Sequence, residues 1–204
     1  MMRFRQLDYM ARVGSTSDYL KPFIESGRAR MAVAEEQTGG RGRFGRSWHS
    51  PAGMGLYASY LCFPASEIRR AEDLTRAAAL GVVRAIGAWS GTGAPLRIKL
   101  PNDILLKGRK CAGILIEMGT QTDRIQWAII GIGVNIFHRS FPDELASTAT
   151  SLSLEGIRVP NLMTFFRELT RQLERTLSSL EQGHRRQLTV DFQEYVLAGG
   201  GNER

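Results

Sequence analysis

The sequence predicts an α+β protein, a mixed β-sheet with helices packed on it. Three observations carry this. Residues 68–89 and 160–180 each repeat apolar side chains at helical spacing. Several shorter stretches alternate, or run apolar, at strand length. These helices and strands come in blocks rather than in strict strand–helix–strand order, which argues against a doubly wound parallel sheet.

Gly14-Ser15-Thr16-Ser17 opens a helix that runs to about Gly27, with Thr16 or Ser17 as its cap and Gly27 as its stop. Residues 30–35 (RMAVAE) read as a short strand and 56–63 as another. Apolar residues at 74, 77, 78, 81, 82, 85, 86 and 89 make a long helix, which SGTGAP ends. Leu96, Ile98 and Leu100 then alternate with Arg97 and Lys99, placing the three apolar side chains on one face of a strand. Pro101-Asn102-Asp103 breaks that strand. Residues 104–106 and 111–118 flank Lys107-Gly108-Arg109 as a hairpin. After the turn GTQTDR, residues 125–131 are apolar on both faces, as a central strand would be. Leu162, Phe165, Phe166, Leu169, Leu173, Leu177 and Leu180 form the core stripe of the next helix, and a last helix follows near 186–197. The reading is one domain over 1–197, with 198–204 as a flexible tail.

Composition narrows the function classes. Of 204 residues, 43% are apolar, enough for a sizeable core. Lys and Arg number 27 against 20 Asp and Glu, a net charge of +7 that favours anionic partners: nucleotides, nucleic acids or acidic protein surfaces. Cys62 and Cys111 form no CxxC and read as two small buried hydrophobes in a reduced, cytoplasmic setting. The N-terminal residues show no apolar secretory core, and no apolar run nears the roughly 18 residues of a membrane span. His49, His138 and His184 lack ligand-like spacing, so no structural metal is expected.

The stretch QTGGRGRFGRSW is the first functional signal. Gly40, Gly42 and Gly45 spell a dinucleotide-loop pattern, and Gly40 to Ser47 nearly spell a phosphate-binding P-loop with Arg46 in place of lysine. Both motifs need a helix that opens within them, because its N-terminus holds the phosphates. Here RSWHSPAGMG follows, and Pro51, Gly53 and Gly55 forbid one. What remains is a glycine-rich loop carrying Arg41, Arg43 and Arg46, suited to an anion. Taken alone it also fits a mobile basic loop or an RGG-like nucleic-acid contact. Further along lie Lys99 and Lys110. Gly113, Leu115 and Glu117 share one strand face, and Gly133 and Asn135 follow in GIGVNI. Gly113 leaves room for a ligand to lie flat on the sheet, with Leu115 as a wall.

Taken together, GRGRFGRSW, KLPNDI, GRKCAGILIE and GIGVNI resemble the biotin–protein ligases, in order and spacing from Ser15 to about Phe137. The resemblance implies a class II aminoacyl-tRNA-synthetase-like catalytic core. It implies an ATP-dependent ligase in which biotin and ATP, with Mg²⁺, give biotinyl-5′-AMP and pyrophosphate. A lysine on the biotin carboxyl carrier domain of an acetyl-CoA-carboxylase-type enzyme then takes the biotin, and AMP leaves. Neither DNA nor membrane is an implied partner, and a homodimer is left open.

By the same likeness, Ser15, Thr16 and Gln37 hydrogen-bond the biotin head group, and Ser17 stands where the family has asparagine. Gly40, Arg41, Gly42, Arg43 and Trp48 belong to a lid over biotin and the adenylate. Lys110 meets the biotin carboxylate and the α-phosphate. Gly113 and Leu115 line the pocket, and Asn135 lies near the nucleotide. Lys99, Asn102 and Asp103 sit beside the adenylate and the incoming lysine. The catalytic set is thus Lys110, Arg43, Lys99 and Asp103. Asp103 either accepts the carrier lysine's proton or orients the amine. Taken alone, Asp103 also fits a turn-forming residue after Pro-Asn, and Asn135 a satisfied turn amide.

Leu100 replaces the tryptophan of the family's KWPND, a change expected to alter packing. Motifs that begin at Ser15 leave no room for a DNA-binding helix-turn-helix, so no repressor role is expected. A C-terminal SH3-like domain is expected to be absent or truncated. The rival readings are a lipoate-type protein ligase, a basic nucleic-acid-binding module, and an inactive fragment that still binds biotin.

Overall fold

A computed structural model describes residues 3–64, 68, 70–90, 94–122 and 124–197. The tail expected at 198–204 and parts of the SGTGAP and GTQTDR turns lie outside the described residues. Seven strands form one sheet: β1 (Leu7–Val13), β2 (Arg30–Gln37), β3 (Gly55–Cys62), β4 (Leu96–Lys99), β5 (Asp103–Leu106), β6 (Arg109–Gln121) and β7 (Arg124–Asn135). Their spatial order is β1-β2-β3-β7-β6-β5-β4, with β1 parallel to β2 and every other pair antiparallel. The sheet is therefore mixed, and the α+β expectation holds.

β7 lies fourth of the seven strands, as its two apolar faces predict. Ala128, Ile130, Ile132 and Val134 point into the main core beneath the helices α2 (Ala71–Ser90), α4 (Leu162–Glu181) and α5 (Arg185–Gln193), whereas α3 (Asp143–Ala146) is a single turn. Ile129 points the other way, into a smaller cluster with Leu20, Ala32 and Leu61. Gly131 and Gly133 continue that second face, so the sheet is bare of side chains there. The three longer helices cover one side of the sheet; the segment around Leu20 covers part of the other, and the rest of that face is left for a site.

Three local expectations change. The helix expected up to Gly27 is split: α1 (Thr16–Leu20) gives way to a 3₁₀ segment, Lys21–Ser26, that starts at Lys21-Pro22 and ends on Gly27 at φ 61°. Its cap is Ser15, not Thr16 or Ser17: Ser15 Oγ accepts from the Asp18 amide at 3.5 Å. Leu100 does not continue the buried row. Leu96 and Ile98 are buried, but β4 ends at Lys99 and Leu100 is 46% exposed. Two further differences are the first strand, β1, which the sequence reading lacks, and the last helix, Arg185–Gln193 against the expected 186–197.

At the β4 edge the chain returns. Ile98 donates to the Tyr195 carbonyl at 2.7 Å, and Leu197 donates to the Ile98 carbonyl at 3.0 Å. Among the described residues, no helix is long and apolar enough to cross a membrane. Both cysteines are free and buried, and burial pushes each thiol up to about 12.

Candidate functional site

The floor of the site is a pair of glycines. Gly113 of β6 and Gly133 of β7 face each other in the ladder. A Cβ added at Gly133 would stand 2.4 Å from the Trp48 indole, and one at Gly113 would stand 2.9 Å from it. Only backbone without side chains lets the ring settle here. Trp48 lies against Gly113, which also lines the cavity. The indole Nε1 is buried and finds no acceptor among the described residues. Leu115 stands next on the same face, as predicted.

A polar cluster forms one wall. Because Ser15 does the capping, the Thr16 and Ser17 hydroxyls turn inward. Thr16 donates to Gln37 Oε1 from its amide (2.9 Å) and its hydroxyl (3.0 Å). Both Thr16 Oγ1 (2.7 Å) and Ser17 Oγ (2.9 Å) meet Ser59 Oγ. Gln37 Nε2 donates to Ser50 Oγ at 3.2 Å. Ser59, fully buried on β3, was missed from sequence: its strand reads as a run of apolar and aromatic residues, and nothing local marks one serine as facing a cavity. Gly40 is not a wall residue. It sits behind, where a Cβ would come within 2.7 Å of Ser50 Oγ and the Trp48 carbonyl, so it serves the base of the loop.

The arginine loop crosses above. Arg41 bridges to Ser47, the Gly42 amide donates to the Arg46 carbonyl at 2.6 Å, and Arg43–Gly45 make a single 3₁₀ turn. No helix opens after the glycines, so neither nucleotide-loop motif has its helix. Arg41 reaches Asp18 and Glu117, at 2.8 and 2.9 Å. The Arg43 guanidinium lies 4.8 Å from the ring centroid of Phe44, which is 85% exposed at the loop tip.

The cationic wall comes from the sheet. Lys110 and Gly113 are three residues apart, so strict alternation would set them on opposite faces. A register shift between Ile104 and Leu105 pairs Leu105 with Lys110 and Ile104 with Ala112, which brings Lys110 round to the glycine face. There Lys110 Nζ meets Asp103 Oδ1 at 2.6 Å and lies 5.2 Å from the Trp48 ring centroid. Lys99 pairs with Asp103 in the ladder and ends β4 beside them. Asn102 holds its turn on β6: its Nδ2 donates to the Ile114 carbonyl at 2.6 Å, and the Ile114 amide returns to the Asn102 carbonyl at 3.0 Å. Asn135 is buried and donates to the Thr150 carbonyl at 3.0 Å, a satisfied amide that also lines the site.

These walls enclose one cavity of about 680 Å³. Ser15, Thr16, Ser17, Gln37, Arg41, Gly42, Arg43, Trp48, Lys99, Asn102, Asp103, Lys110, Gly113, Leu115 and Asn135 all line it. Every sequence-predicted site residue except Gly40 is therefore at one place. Sequence reasoning missed Ser59, His49, Phe141 and Leu145, which line it too. Behind Phe141, His138 is buried and stacked on that ring at 4.8 Å, and burial pushes its imidazole down to about 4.

The arrangement offers an amide-and-hydroxyl end, an apolar floor and a cationic end, fit for a neutral polar head joined to an anionic group. Several known proteins similar to this chain are ligases by name. The chain is 46% identical over 125 residues to the bifunctional ligase/repressor BirA of Bacillus spizizenii, a match that covers 60% of this chain and 38% of that one. It is 31% identical over 206 residues to the biotin–[acetyl-CoA-carboxylase] ligase of Mycobacterium tuberculosis, covering 98% of this chain and 74% of that one. Its structure is similar to the biotin protein ligase of Aquifex aeolicus in complex with biotin and ATP. The TM-score is 0.80 at 28% identity, over 95% of this chain and 79% of the other. The chain thus spans well under half the length of the Bacillus relative and about three quarters of the mycobacterial one. The model of the Biotin/lipoate A/B protein ligase family matches residues 9–135, most of the sheet and the whole of the loop. With these motifs gathered about one cavity, the chain belongs to the Biotin/lipoate A/B protein ligase family.

Proposed function

We propose that the protein is an ATP-dependent biotin–protein ligase, which forms biotinyl-5′-AMP and passes the biotinyl group to a carrier lysine. The observation that carries this is the sharing of one cavity by the Ser/Thr/Gln wall, Arg43, Lys99 and the Lys110–Asp103 pair. Thr16, Ser17 and Gln37 meet the ureido head group of biotin. In the first step a biotin carboxylate oxygen bonds to the α-phosphorus of ATP and pyrophosphate leaves. Both reactants are anionic, so cations must offset their repulsion, and Lys110 and Arg43, which line the same cavity, supply that charge in this reading. Mg²⁺ enters with ATP as part of the substrate. Among the described residues, no three His, Cys, Asp or Glu side chains gather to hold a metal of their own.

In the second step the carrier lysine's amine bonds to the acyl carbon, the acyl–phosphate bond breaks and AMP leaves. The amine must arrive neutral, against an ordinary lysine pKa of about 10.4. Asp103 accepts from Lys110 through Oδ1; its carboxylate either takes the proton that the amine loses as the amide forms, or orients the amine while that proton passes to the departing AMP phosphate. The acyl-adenylate hydrolyses in water, and the arginine loop and Trp48 shield it. The partner is the biotin carrier domain of a carboxylase.

The test is direct. Protein, ATP and Mg²⁺ are mixed with biotin or with lipoate, and pyrophosphate and bound acyl-adenylate are measured. A biotin carrier domain is then added, and its mass is followed. Pyrophosphate and adenylate with biotin support the reading. Product with lipoate alone converts it to the lipoate-type ligase. Product with neither overturns it.

A further inference from the structure

The arginine loop is held down by a cluster of four charges, and three of its members lie outside the cavity. Arg41 Nη2 donates to Asp18 Oδ1 at 2.8 Å and to Glu117 Oε1 at 2.9 Å. Lys21 Nζ meets the same two carboxylates, Asp18 Oδ1 at 2.7 Å and Glu117 Oε2 at 3.0 Å. Each carboxylate touches both cations and each cation touches both carboxylates. The group joins the end of α1, the loop and β6. We propose that Glu117 and Asp18 are positioning residues that act through Arg41: with Lys21 they clasp the loop shut, and the clasp sets how long an activated acyl-adenylate is retained. This rests on the ligase reading above.

The geometry divides the arginines of the loop. Arg41 is committed to protein carboxylates, whereas Arg43 and Arg46 line the cavity with no ion pair among the described residues. Arg41 is the anchor and Arg43 the ligand arm. Glu117 can do this because it lies on the Gly113–Leu115 face, one pleat beyond Leu115, so it reaches the rim rather than the interior. Inside the clasp the loop is braced by its own hydrogen bonds, Gly42 to Arg46 and Trp48 to Gly40, at 2.6 and 2.9 Å. It therefore moves as one piece, and its outer tether is Arg41. Burial works against the Asp18 carboxylate, yet Lys21 and Arg41 together hold it below the ordinary range. Bonds to Asp18 and Glu117 hold Lys21 above its own.

One half-exposed ion pair shifts an equilibrium only a few-fold, and a four-charge network somewhat more. Glu117→Gln is therefore expected to speed release of biotinyl-5′-AMP by about threefold to tenfold, and to slow adenylate synthesis by less. Asp18→Asn, on a different element, should do the same. Glu117→Asp, which keeps the charge, should retain most of the slow release, and a role in packing alone would not separate it from Glu117→Gln. Raising salt to about 1 M, where screening reaches about 3 Å, should move the natural protein toward the variants.

The measurements are a chase of preformed labelled adenylate by unlabelled substrate, and amide hydrogen exchange of residues 40–48 in the protein without ligand. Faster exchange confined to that loop in Glu117→Gln supports the clasp even if no adenylate forms, in which case only the ligase reading fails. Unchanged loop exchange in both single variants overturns the clasp whatever the chemistry. So does unchanged adenylate release where adenylate forms.

Discussion

Lys110 Nζ lies 2.6 Å from Asp103 Oδ1 and 5.2 Å from the centroid of the Trp48 ring, so one ammonium joins the carboxylate wall to the aromatic floor. It is the cation placed nearest to both. Replacing it removes that positive charge from the cavity.

Lys110→Ala is expected to slow adenylate formation by about 10²-fold or more, the scale for losing a charge-stabilising donor. Pyrophosphate release under saturating biotin and ATP checks this. Turnover like that of the natural protein would remove Lys110 from its role. Asp103→Asn should slow transfer to the carrier more than it slows adenylate formation, since the two steps use the carboxylate differently.

Gly133→Ala should unseat Trp48, because the added carbon would stand 2.4 Å from the indole. Overpacking of this kind costs about 1–3 kcal/mol. The expected result is a lower melting temperature, a changed tryptophan emission and weaker biotin binding together. A variant that melts and binds like the natural protein would show that the glycine pair is not needed as a seat.

His138 makes stability depend on pH. Burial holds its folded pKa near 4, below the ordinary 6.5, so the unfolded chain binds the extra proton first. Stability from this group is complete above about pH 6.5 and is lost as pH falls toward 4, by at most about 3 kcal/mol. Denaturant unfolding between pH 7 and 4 should show that slope, and His138→Phe should flatten it. An unchanged slope in the variant assigns the dependence to other groups.

The two thiols should be silent in the folded state. Burial pushes both up to about 12, and thiolate is the reactive form. A thiol reagent at pH 8 should titrate neither Cys62 nor Cys111 until denaturant is added, and then both. Prompt labelling of either would show that its strand opens.

Much of this was legible before any coordinates. The central place of β7 follows from its two apolar faces, and Gly113, Leu115 and Glu117 do share a face. What escaped has physical reasons. β1, with the sequence LDYMARV, is an edge strand with no buried residue, so neither of its faces is marked as core. Ser59 belongs to a strand buried along its whole length, where periodicity says nothing of direction. Lys110 reaches the cavity only through a register shift, which no local pattern encodes. Leu100 continues the alternation of Leu96 and Ile98 in sequence, but its strand ends one residue earlier, at Lys99.

The return of Tyr195–Leu197 along Ile98 has a bearing on solubility. β4 is the last strand in the sheet, and its outer amide and carbonyl at Ile98 would otherwise be an open template for another chain. The backbone near residue 196 hems that border. Shortening the chain to end before Tyr195 would leave the hem undone, and aggregation through strand addition would follow from a change far from the catalytic cleft.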